Sequence, residues 1–231
     1  MSVKLEVYKD DDITDNKTKC IAKGLPQPVF RWVMIGSTGC GKTNLIKNVL
    51  FNDTWGYNQY FDEIYIFSGS ADDCERYAKK TTESGMEDYV MVRQKFECDE
   101  VRELIADMET GGDNDCDHKR ILFVLDDQIC NDVSKPCKPT VLDELFIRGR
   151  HIGISVIIAS QKYMALNQNI RQLNNSHLTI FNNTSQRDLK TIAKEHCNSK
   201  NEDEFYDMLV ESISKPYSFI TLDRLGNAIV I

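Results

Sequence analysis

The sequence lacks the marks of a secreted, membrane-spanning or disulfide-bonded protein. Its apolar runs, such as ILFVL at 121–125, are far shorter than the roughly 18 residues that cross a bilayer. The N-terminal stretch MSVKLEVYKDDD turns acidic where a secretory signal would be apolar. Eight cysteines are present, but they are scattered and no two form a Cys-x-x-Cys pair. We therefore expect a soluble protein with reduced thiols, made in a reducing compartment.

The chain also lacks an excess of positive charge. Its formal net charge of −8 argues against a broad basic face that binds nucleic acid by charge alone. This charge leaves room for DNA that is handled by a few loops inside a ring. No repeat or low-complexity tract is present, and 231 residues suffice for one large domain with its own hydrophobic core.

Strand and helix patterns alternate along most of the chain. Residues 1–28 are predicted to be an N-terminal extension that ends at the Gly/Pro break GLPQP, and residues 29–231 to be one domain. Several strands are apolar on both faces, which predicts an α/β fold with a mostly parallel central sheet, helices on both faces and a C-terminal antiparallel hairpin. Strands are predicted at 29–35, 63–68, 88–93, 120–127, 154–161, 177–181, 217–223 and 227–231, and helices at 42–51, 71–80, 99–110, 140–150, 185–196 and 203–213.

The stretch GSTGCGKT at 36–43 meets the pattern G-x-x-x-x-G-K-[ST] between a predicted strand and a predicted helix. The glycines let the backbone curl so that its N–H groups point at phosphates, and the helix start adds the positive end of its dipole. Lys42 is expected to reach the β- and γ-phosphates, and the Thr43 hydroxyl to bind Mg²⁺. The nucleotide-binding residues are predicted to be Gly36, Ser37, Thr38, Gly39, Cys40, Gly41, Lys42 and Thr43.

Two carboxylates end the apolar strand RILFVLDD. Asp126 is expected to lie beside the phosphate loop and hold the Mg²⁺ shell. Asp127 is expected to face the γ-phosphate, where a carboxylate orients and polarises a water molecule. This pair favours hydrolysis, although the alternative that Asp127 only caps the next loop stays open.

Polar residues also follow the next strand and the helix before it. Gln161 ends the stretch ISVIIASQ, from where it can bind the attacking water or sense the γ-phosphate, unless it simply opens a loop. Arg148 and Arg150 stand where the preceding helix is predicted to end. An arginine there can stabilise the charge of the transition state from a neighbouring subunit. The alternative is a pair of surface arginines that a helix C-terminus favours through its dipole.

Together, the stretches GSTGCGKT, ILFVLDD and GRHIGISVIIASQ resemble the FtsK–HerA lineage of DNA-pumping ATPases. Within it, the chain looks like the poxvirus-type virion-packaging ATPases of large eukaryotic DNA viruses and their virophage relatives. The Gly-Arg-His at 149–151, the apolar strand after it, Gln161 and the Asp-Asp in place of the lineage's usual Asp-Glu carry this resemblance. It covers roughly residues 28–182 and implies a P-loop nucleotide hydrolase of the RecA/FtsK-like kind.

The resemblance implies ATP and Mg²⁺ as ligands, with Asp127 as the general base and Gln161 as the γ-phosphate sensor. It implies Arg150 as the arginine finger, with Arg148 in reserve. It further implies a ring, expected to be a hexamer, that threads double-stranded viral DNA without reading its sequence into a preformed capsid, and hence capsid-protein partners. The implied location is the virion or the viral factory of the host cytoplasm.

Three points stay open at the level of sequence. A loop after the second strand, or the segment 128–140 with Lys135 and Lys138, is a candidate DNA-contacting loop, the alternative being a lysine-bearing surface loop. A helicase or helicase loader would share the same nucleotide motifs. A nucleotide-binding assembly switch with little turnover is a further alternative, which Asp127 and Gln161 disfavour.

Overall fold

The fold is an eight-stranded sheet with helices on both faces. The computed structural model describes residues 21–22, 24–110, 119–128, 140–174, 176–198 and 201–229. The strands are β1 (Arg31–Ile35), β2 (Glu63–Ser68), β3 (Val90–Arg93), β4 (Ile121–Asp126), β5 (Ile154–Ser160), β6 (His177–Phe181), β7 (Phe219–Asp223) and β8 (Ala228–Ile229). The helices are α1 (Lys42–Phe51), α2 (Tyr57–Tyr60), α3 (Ala71–Glu83), α4 (Cys98–Thr110), α5 (Val141–Ile147), α6 (Gln186–His196) and α7 (Glu202–Ser212).

The strand order in the sheet is β3-β2-β4-β5-β1-β6-β7-β8. The first six strands in this order are mutually parallel, and β7 and β8 add an antiparallel edge. Every residue of β1, β4 and β5 is buried, as expected for parallel strands that are covered on both faces. The predicted mostly parallel sheet with a C-terminal antiparallel hairpin is confirmed.

Two hydrophobic cores lie on opposite faces of this sheet. On one face, α1, α2 and α3 cover the sheet through residues such as Leu45, Val49 and Tyr57. On the other face, α4, α5, α6 and α7 pack through residues such as Leu145 and Ile192. The predicted placement of helices on both faces is therefore confirmed.

The strand order decides where the polar residues of the sequence meet. Strand β5 lies between β1 and β4, with Ile35 opposite Ser160 and Asp126 opposite Ala159. Because the three strands are parallel, their carboxyl ends share one edge of the sheet. The loop after β1, the acidic end of β4 and the residue after β5 therefore come together there.

The predicted boundaries are corrected at several points. The strand predicted at 120–127 ends at Asp126, because Asp127 has a φ of 52° and leaves the extended conformation. The helix predicted at 140–150 spans only Val141–Ile147. It begins at Val141 because Thr140 caps its N-terminus in a reciprocal capping box with Asp143, and Arg148 is its C-cap. The sequence also missed α2, a 3₁₀ turn at Tyr163–Ala165 and a π-helix at Asn169–Asn174, which are too short to show a helical period.

Some predictions fall outside the described residues, namely those for most of the N-terminal extension and for Lys135 and Lys138. Within the described residues, Ile21 and Leu25 are buried in the hydrophobic core on the face of the sheet that α1, α2 and α3 cover. The domain boundary at residue 28 stays a prediction. No helix in the described part of the chain is long and apolar enough to cross a membrane. The cysteines there are free thiols: Cys40, Cys74, Cys98 and Cys197.

Candidate active site

The loop between β1 and α1 has the geometry of a phosphate cradle. Gly39 and Gly41 have φ values of 77° and 110°, in the left-handed region that glycine adopts without strain. A Cβ on Gly36 would lie 2.6 Å from the Cys40 Sγ and 2.7 Å from the Phe181 Cβ, so no side chain fits there. These glycines let the loop curl at the N-terminus of α1, where backbone N–H groups and the helix dipole favour an anion.

Lys42, the first residue of α1, is folded against the loop. Its ammonium group donates hydrogen bonds to the carbonyl oxygens of Gly36, at 2.7 Å, and Ser37, at 3.1 Å. The side chain is buried although it carries a charge. The oxygens of a bound phosphate are charged and accept stronger hydrogen bonds than these carbonyls do. Lys42 is therefore placed to give up its hydrogen bonds to the two carbonyls and to donate to a phosphate instead.

Asp126 and Thr43 meet behind the phosphate loop. The Thr43 hydroxyl donates a 2.8 Å hydrogen bond to Oδ2 of Asp126, which is itself buried. The other carboxylate oxygen, Oδ1, is buried and has no hydrogen-bond partner among the described residues. Burial raises the pKa of Asp126, and hydrogen bonds to its carboxylate hold part of that rise back. An orphaned carboxylate oxygen beside a hydroxyl is an oxygen donor set of the kind that Mg²⁺ prefers, so these residues fit the predicted metal.

Tyr77, which the sequence analysis missed, is a second donor to this carboxylate. It lies on the buried face of α3, and its hydroxyl donates a 2.8 Å hydrogen bond to Asp126 Oδ2. Burial, followed by the nearby Asp126 charge, raises the pKa of Tyr77, so the hydroxyl stays protonated and acts as the donor. The Lys47 ammonium lies 5.0 Å from the centre of the Tyr77 ring. In the sequence, Tyr77 is recognisable only as a tyrosine on the buried face of a helix, and a tyrosine at such a position more often packs in the core than contacts a metal ligand.

Asp127 and Gln161 come together at the mouth of the site. The Gln161 Nε2 donates a 3.2 Å hydrogen bond to Asp127 Oδ2, and both residues are exposed. Asp127 has a left-handed φ of 52°, and its N–H donates to the Ala159 carbonyl at 3.1 Å. Left-handed backbone in a residue other than glycine is uncommon and concentrates at functional sites. The bend turns the Asp127 carboxylate out of the sheet edge and towards the phosphate loop.

A cavity of about 510 Å³ opens over the phosphate loop. Its wall contains predicted residues from the loop together with Asp127. It also contains residues that the sequence analysis did not single out, from α1, from α3 and from the turn before β7. These additional lining residues are Asn44, Lys47, Asp73, Arg76 and Tyr217.

The two predicted arginines do not lie at this cavity. Both stand in the turn before β5, and β5 runs parallel to β1, so the turn is at the opposite edge of the sheet. Arg148 pairs with Glu109 of α4. Arg150 is exposed and forms no ion pair with a described residue. The seven residues of β5 separate the two edges by roughly 20 Å.

A buried arginine holds the turn that carries Arg150. Arg31 in β1 donates to the carbonyl oxygens of Phe146, at 3.2 Å, and Ile154, at 2.6 Å, which tie the end of α5 to the start of β5. Burial, followed by repulsion from Arg150, lowers the pKa of Arg31 to about 9. Gly149 packs against this side chain, since a Cβ there would lie 3.0 Å from Arg31 Nη2. Arg31 stands inside the otherwise apolar strand RWVMI, so no motif in the sequence marks it as a positioning residue.

Solved structures with the same fold come from viral packaging and secretion systems. The genome packaging NTPase B204 of Sulfolobus turreted icosahedral virus 2, in complex with AMPPCP, matches with a TM-score of 0.61 and 17% identity, over 89% of this chain and 97% of that chain. B204, the DNA-packaging ATPase from Sulfolobus turreted icosahedral virus, matches with a TM-score of 0.58 and 17% identity, over 87% and 95%. The cytoplasmic domain of the Thermomonospora curvata type VII secretion ATPase EccC has a TM-score of 0.51 and 18% identity, over 87% of this chain and 23% of that chain.

At these identities the structural matches establish the fold, and they confirm the predicted P-loop ATPase architecture. No curated protein sequence matches the chain at a significant level. The model of one protein family, the Poxvirus A32 protein, matches residues 18–220. This span is most of the chain and includes every predicted site residue. The match confirms the resemblance seen in the sequence, and the chain belongs to the Poxvirus A32 protein family.

Proposed function

We propose that this chain is a DNA-packaging ATPase that hydrolyses ATP at the β1–α1 loop and uses the energy to move double-stranded viral DNA into a preformed capsid. Its family membership supports this activity. The observation that carries the hydrolytic part is the pair Asp127 and Gln161, joined by a hydrogen bond at the edge of the phosphate cavity. A protein that only binds nucleotide needs neither residue.

In the proposed reaction, Asp127 is the general base. Its exposed carboxylate is placed to accept a proton from a water molecule that attacks the γ-phosphorus, and the bond from the γ-phosphorus to the bridging oxygen of ADP breaks. The Gln161 amide holds the carboxylate through Nε2, which leaves its carbonyl oxygen to accept a hydrogen bond from the same water. Release of phosphate would then alter the contacts of Gln161 and of the segment that follows it.

Thr43 and Asp126 would hold a Mg²⁺ ion through the threonine hydroxyl and the buried carboxylate oxygens. When bound, this ion would neutralise the charge of the β- and γ-phosphate oxygens. Tyr77 keeps the carboxylate in place by its hydrogen bond to Oδ2. Lys42 adds the second positive charge, from the loop side.

Arg150 completes the site of a neighbouring subunit. An arginine side chain cannot cover the roughly 20 Å between the two edges of the sheet, so Arg150 does not reach the phosphate loop of its own chain. In a ring, the arginine edge of one subunit would face the phosphate edge of the next, and hydrolysis would require assembly. Arg148 is the weaker candidate because it is already paired with Glu109.

The partners in this proposal are double-stranded DNA, further copies of the chain in a ring that we expect to be a hexamer, and capsid proteins. With a net charge of −8, the chain would hold DNA through a few local contacts to the phosphate backbone, without reading sequence. The proposed location is the virion or the viral factory.

The test is steady-state ATP hydrolysis by the purified protein, with and without long double-stranded DNA. Lys42→Ala serves as the blank, because Lys42 is the phosphate-binding lysine of the loop. We expect hydrolysis that duplex DNA stimulates and that the blank lacks. Hydrolysis that is indifferent to DNA would argue against a translocase, and no turnover at any protein concentration would favour an assembly switch. Separation of forked DNA strands would instead favour a helicase.

A further inference from the structure

The cavity over the phosphate loop is lined by residues from outside that loop as well. The hydrolysis groups stand on its β4 side, where Asp127 forms one wall. On the other side of β1 the sheet continues with β6 and β7. A nucleotide whose γ-phosphate lies towards Asp127 must direct its ribose and base away from that end, over β6 and β7. Tyr217, in the turn before β7, also lines this cavity.

Tyr217 is held at this position by a tight turn. The Ser218 N–H donates to the Lys215 carbonyl at 3.1 Å, which closes a four-residue turn with Pro216 and Tyr217 at its centre. A further bond, from the Asn182 N–H to the Ser218 carbonyl at 2.9 Å, ties the turn to the end of β6. Because β7 is antiparallel to β6, the start of β7 lies at the same edge of the sheet as the phosphate loop. Two strand spacings separate β1 from β7, or roughly 10 Å.

The residue type at this place is unusual for the turn. Tyr217 has a φ of 61°, and a turn with Pro at its second position and left-handed backbone at its third favours glycine or asparagine there. The tyrosine side chain is also 74% exposed, so it contributes little to the core. Neither the backbone conformation nor core packing explains why a tyrosine occupies this position, whereas a role at the cavity that its side chain lines does. A flat aromatic face beside a phosphate site is a surface on which a nucleobase can stack.

We propose that Tyr217 is the platform for the base of the bound nucleotide, an inference that rests on the proposed ATPase function. Stacking uses the π-face of the base and not its hydrogen-bonding edge, so Tyr217 would not separate adenine from guanine. The larger face of a purine covers more of the ring than a pyrimidine does. The site therefore takes purine nucleoside triphosphates in preference to pyrimidine ones.

The test measures binding directly, by calorimetry with Mg²⁺ and three probes: a non-hydrolysable ATP analogue, the corresponding CTP analogue and inorganic triphosphate, which has no base. Tyr217→Gly removes the ring and suits the left-handed backbone, so the turn is kept. Tyr217→Phe keeps the ring. Leu225→Ala is the matched control, because Leu225 is also an exposed apolar residue in a turn, 67% exposed, but at the other end of β7.

We expect Tyr217→Gly to bind the ATP analogue about tenfold more weakly, the effect of losing one base–aromatic stack, and to bind inorganic triphosphate as the wild type does. Its preference for the ATP over the CTP analogue should shrink as well. Tyr217→Phe and Leu225→Ala should match the wild type with all three probes.

Two results would overturn the platform while leaving the ATPase intact. One is an unchanged affinity of Tyr217→Gly for the ATP analogue. The other is an equal loss for the analogue and for inorganic triphosphate, which would mean that Tyr217 acts on the phosphate loop. If the wild type bound neither nucleotide nor inorganic triphosphate, and so behaved as the blank Lys42→Ala does, the proposed function itself would be refuted and the platform with it.

Discussion

Replacing Tyr77 by phenylalanine removes the hydroxyl group that donates a 2.8 Å hydrogen bond to the buried carboxylate of Asp126. Asp126 then keeps only the Thr43 hydroxyl as a side-chain donor among the described residues, and its Oδ1 already has no partner. A hydrogen bond to a charged group contributes about 1.5–3 kcal/mol. We expect Tyr77→Phe to lower the free energy of unfolding of the metal-free protein by this amount at neutral pH. Because the lost bond holds the pKa of Asp126 down, that pKa should also rise further.

The assay is urea unfolding of the metal-free protein, followed by ATP hydrolysis as a function of Mg²⁺ concentration. With an m-value of about 3 kcal/mol/M, the unfolding midpoint should fall by about 0.5–1 M. The loss of a residue that orients a metal ligand typically weakens metal binding or activity by about 10- to 100-fold, so the Mg²⁺ requirement should rise. Tyr89→Phe is the matched control, since the Tyr89 hydroxyl donates to a neutral carbonyl, that of Asn58, at 3.1 Å. It should cost about 0.5–1.5 kcal/mol and leave the Mg²⁺ dependence unchanged.

The reasoning is refuted if Tyr77→Phe unfolds at the wild-type urea concentration and needs no more Mg²⁺ than the wild type. A stability loss without a change in Mg²⁺ dependence would make Tyr77 a core residue only. If Tyr89→Phe raised the Mg²⁺ requirement equally, the effect would belong to the fold as a whole and not to Asp126.

Three further predictions concern the same site. Asp127→Asn should keep nucleotide binding but lower the hydrolysis rate by about 10²- to 10⁴-fold, since the amide cannot accept the proton; wild-type turnover would exclude Asp127 as the base. Arg150→Ala should bind ATP without hydrolysing it. Mixing it with Lys42→Ala subunits should restore activity, because the intact phosphate loop of an Arg150→Ala subunit can then face the intact Arg150 of a Lys42→Ala subunit. Arg148→Ala, which breaks only a surface ion pair, should stay active. Burial raises the pKa of Asp126, so its stabilising contribution is complete below its ordinary pKa of about 4 and is lost as pH rises through the raised pKa. The stability of the metal-free wild type relative to Asp126→Asn should therefore fall over that range in urea titrations at several pH values, and a flat difference would contradict the raised pKa.

The phosphate loop could be predicted from the sequence, because the glycines, the lysine and the threonine of this motif act together within a few adjacent residues. Gly39 and Gly41 adopt left-handed backbone, and Gly36 has no room for a side chain. The runs that are apolar throughout likewise predicted buried parallel strands, and β2 and β6 have the predicted bounds. Such signals are local, so a single sequence contains them in full.

Which distant residues come into contact depends on the tertiary structure. The insertion of β5 between β1 and β4 brings Gln161 to Asp127 and separates Arg150 from the loop of its own chain. Tyr77 reaches Asp126 across 49 positions of sequence, and no local pattern marks it. The turn at Tyr217 joins the cavity only because β7 pairs antiparallel to β6. Strand order and pairing depend on how the two cores pack around the sheet, and that packing is a property of the whole chain and not of any one motif.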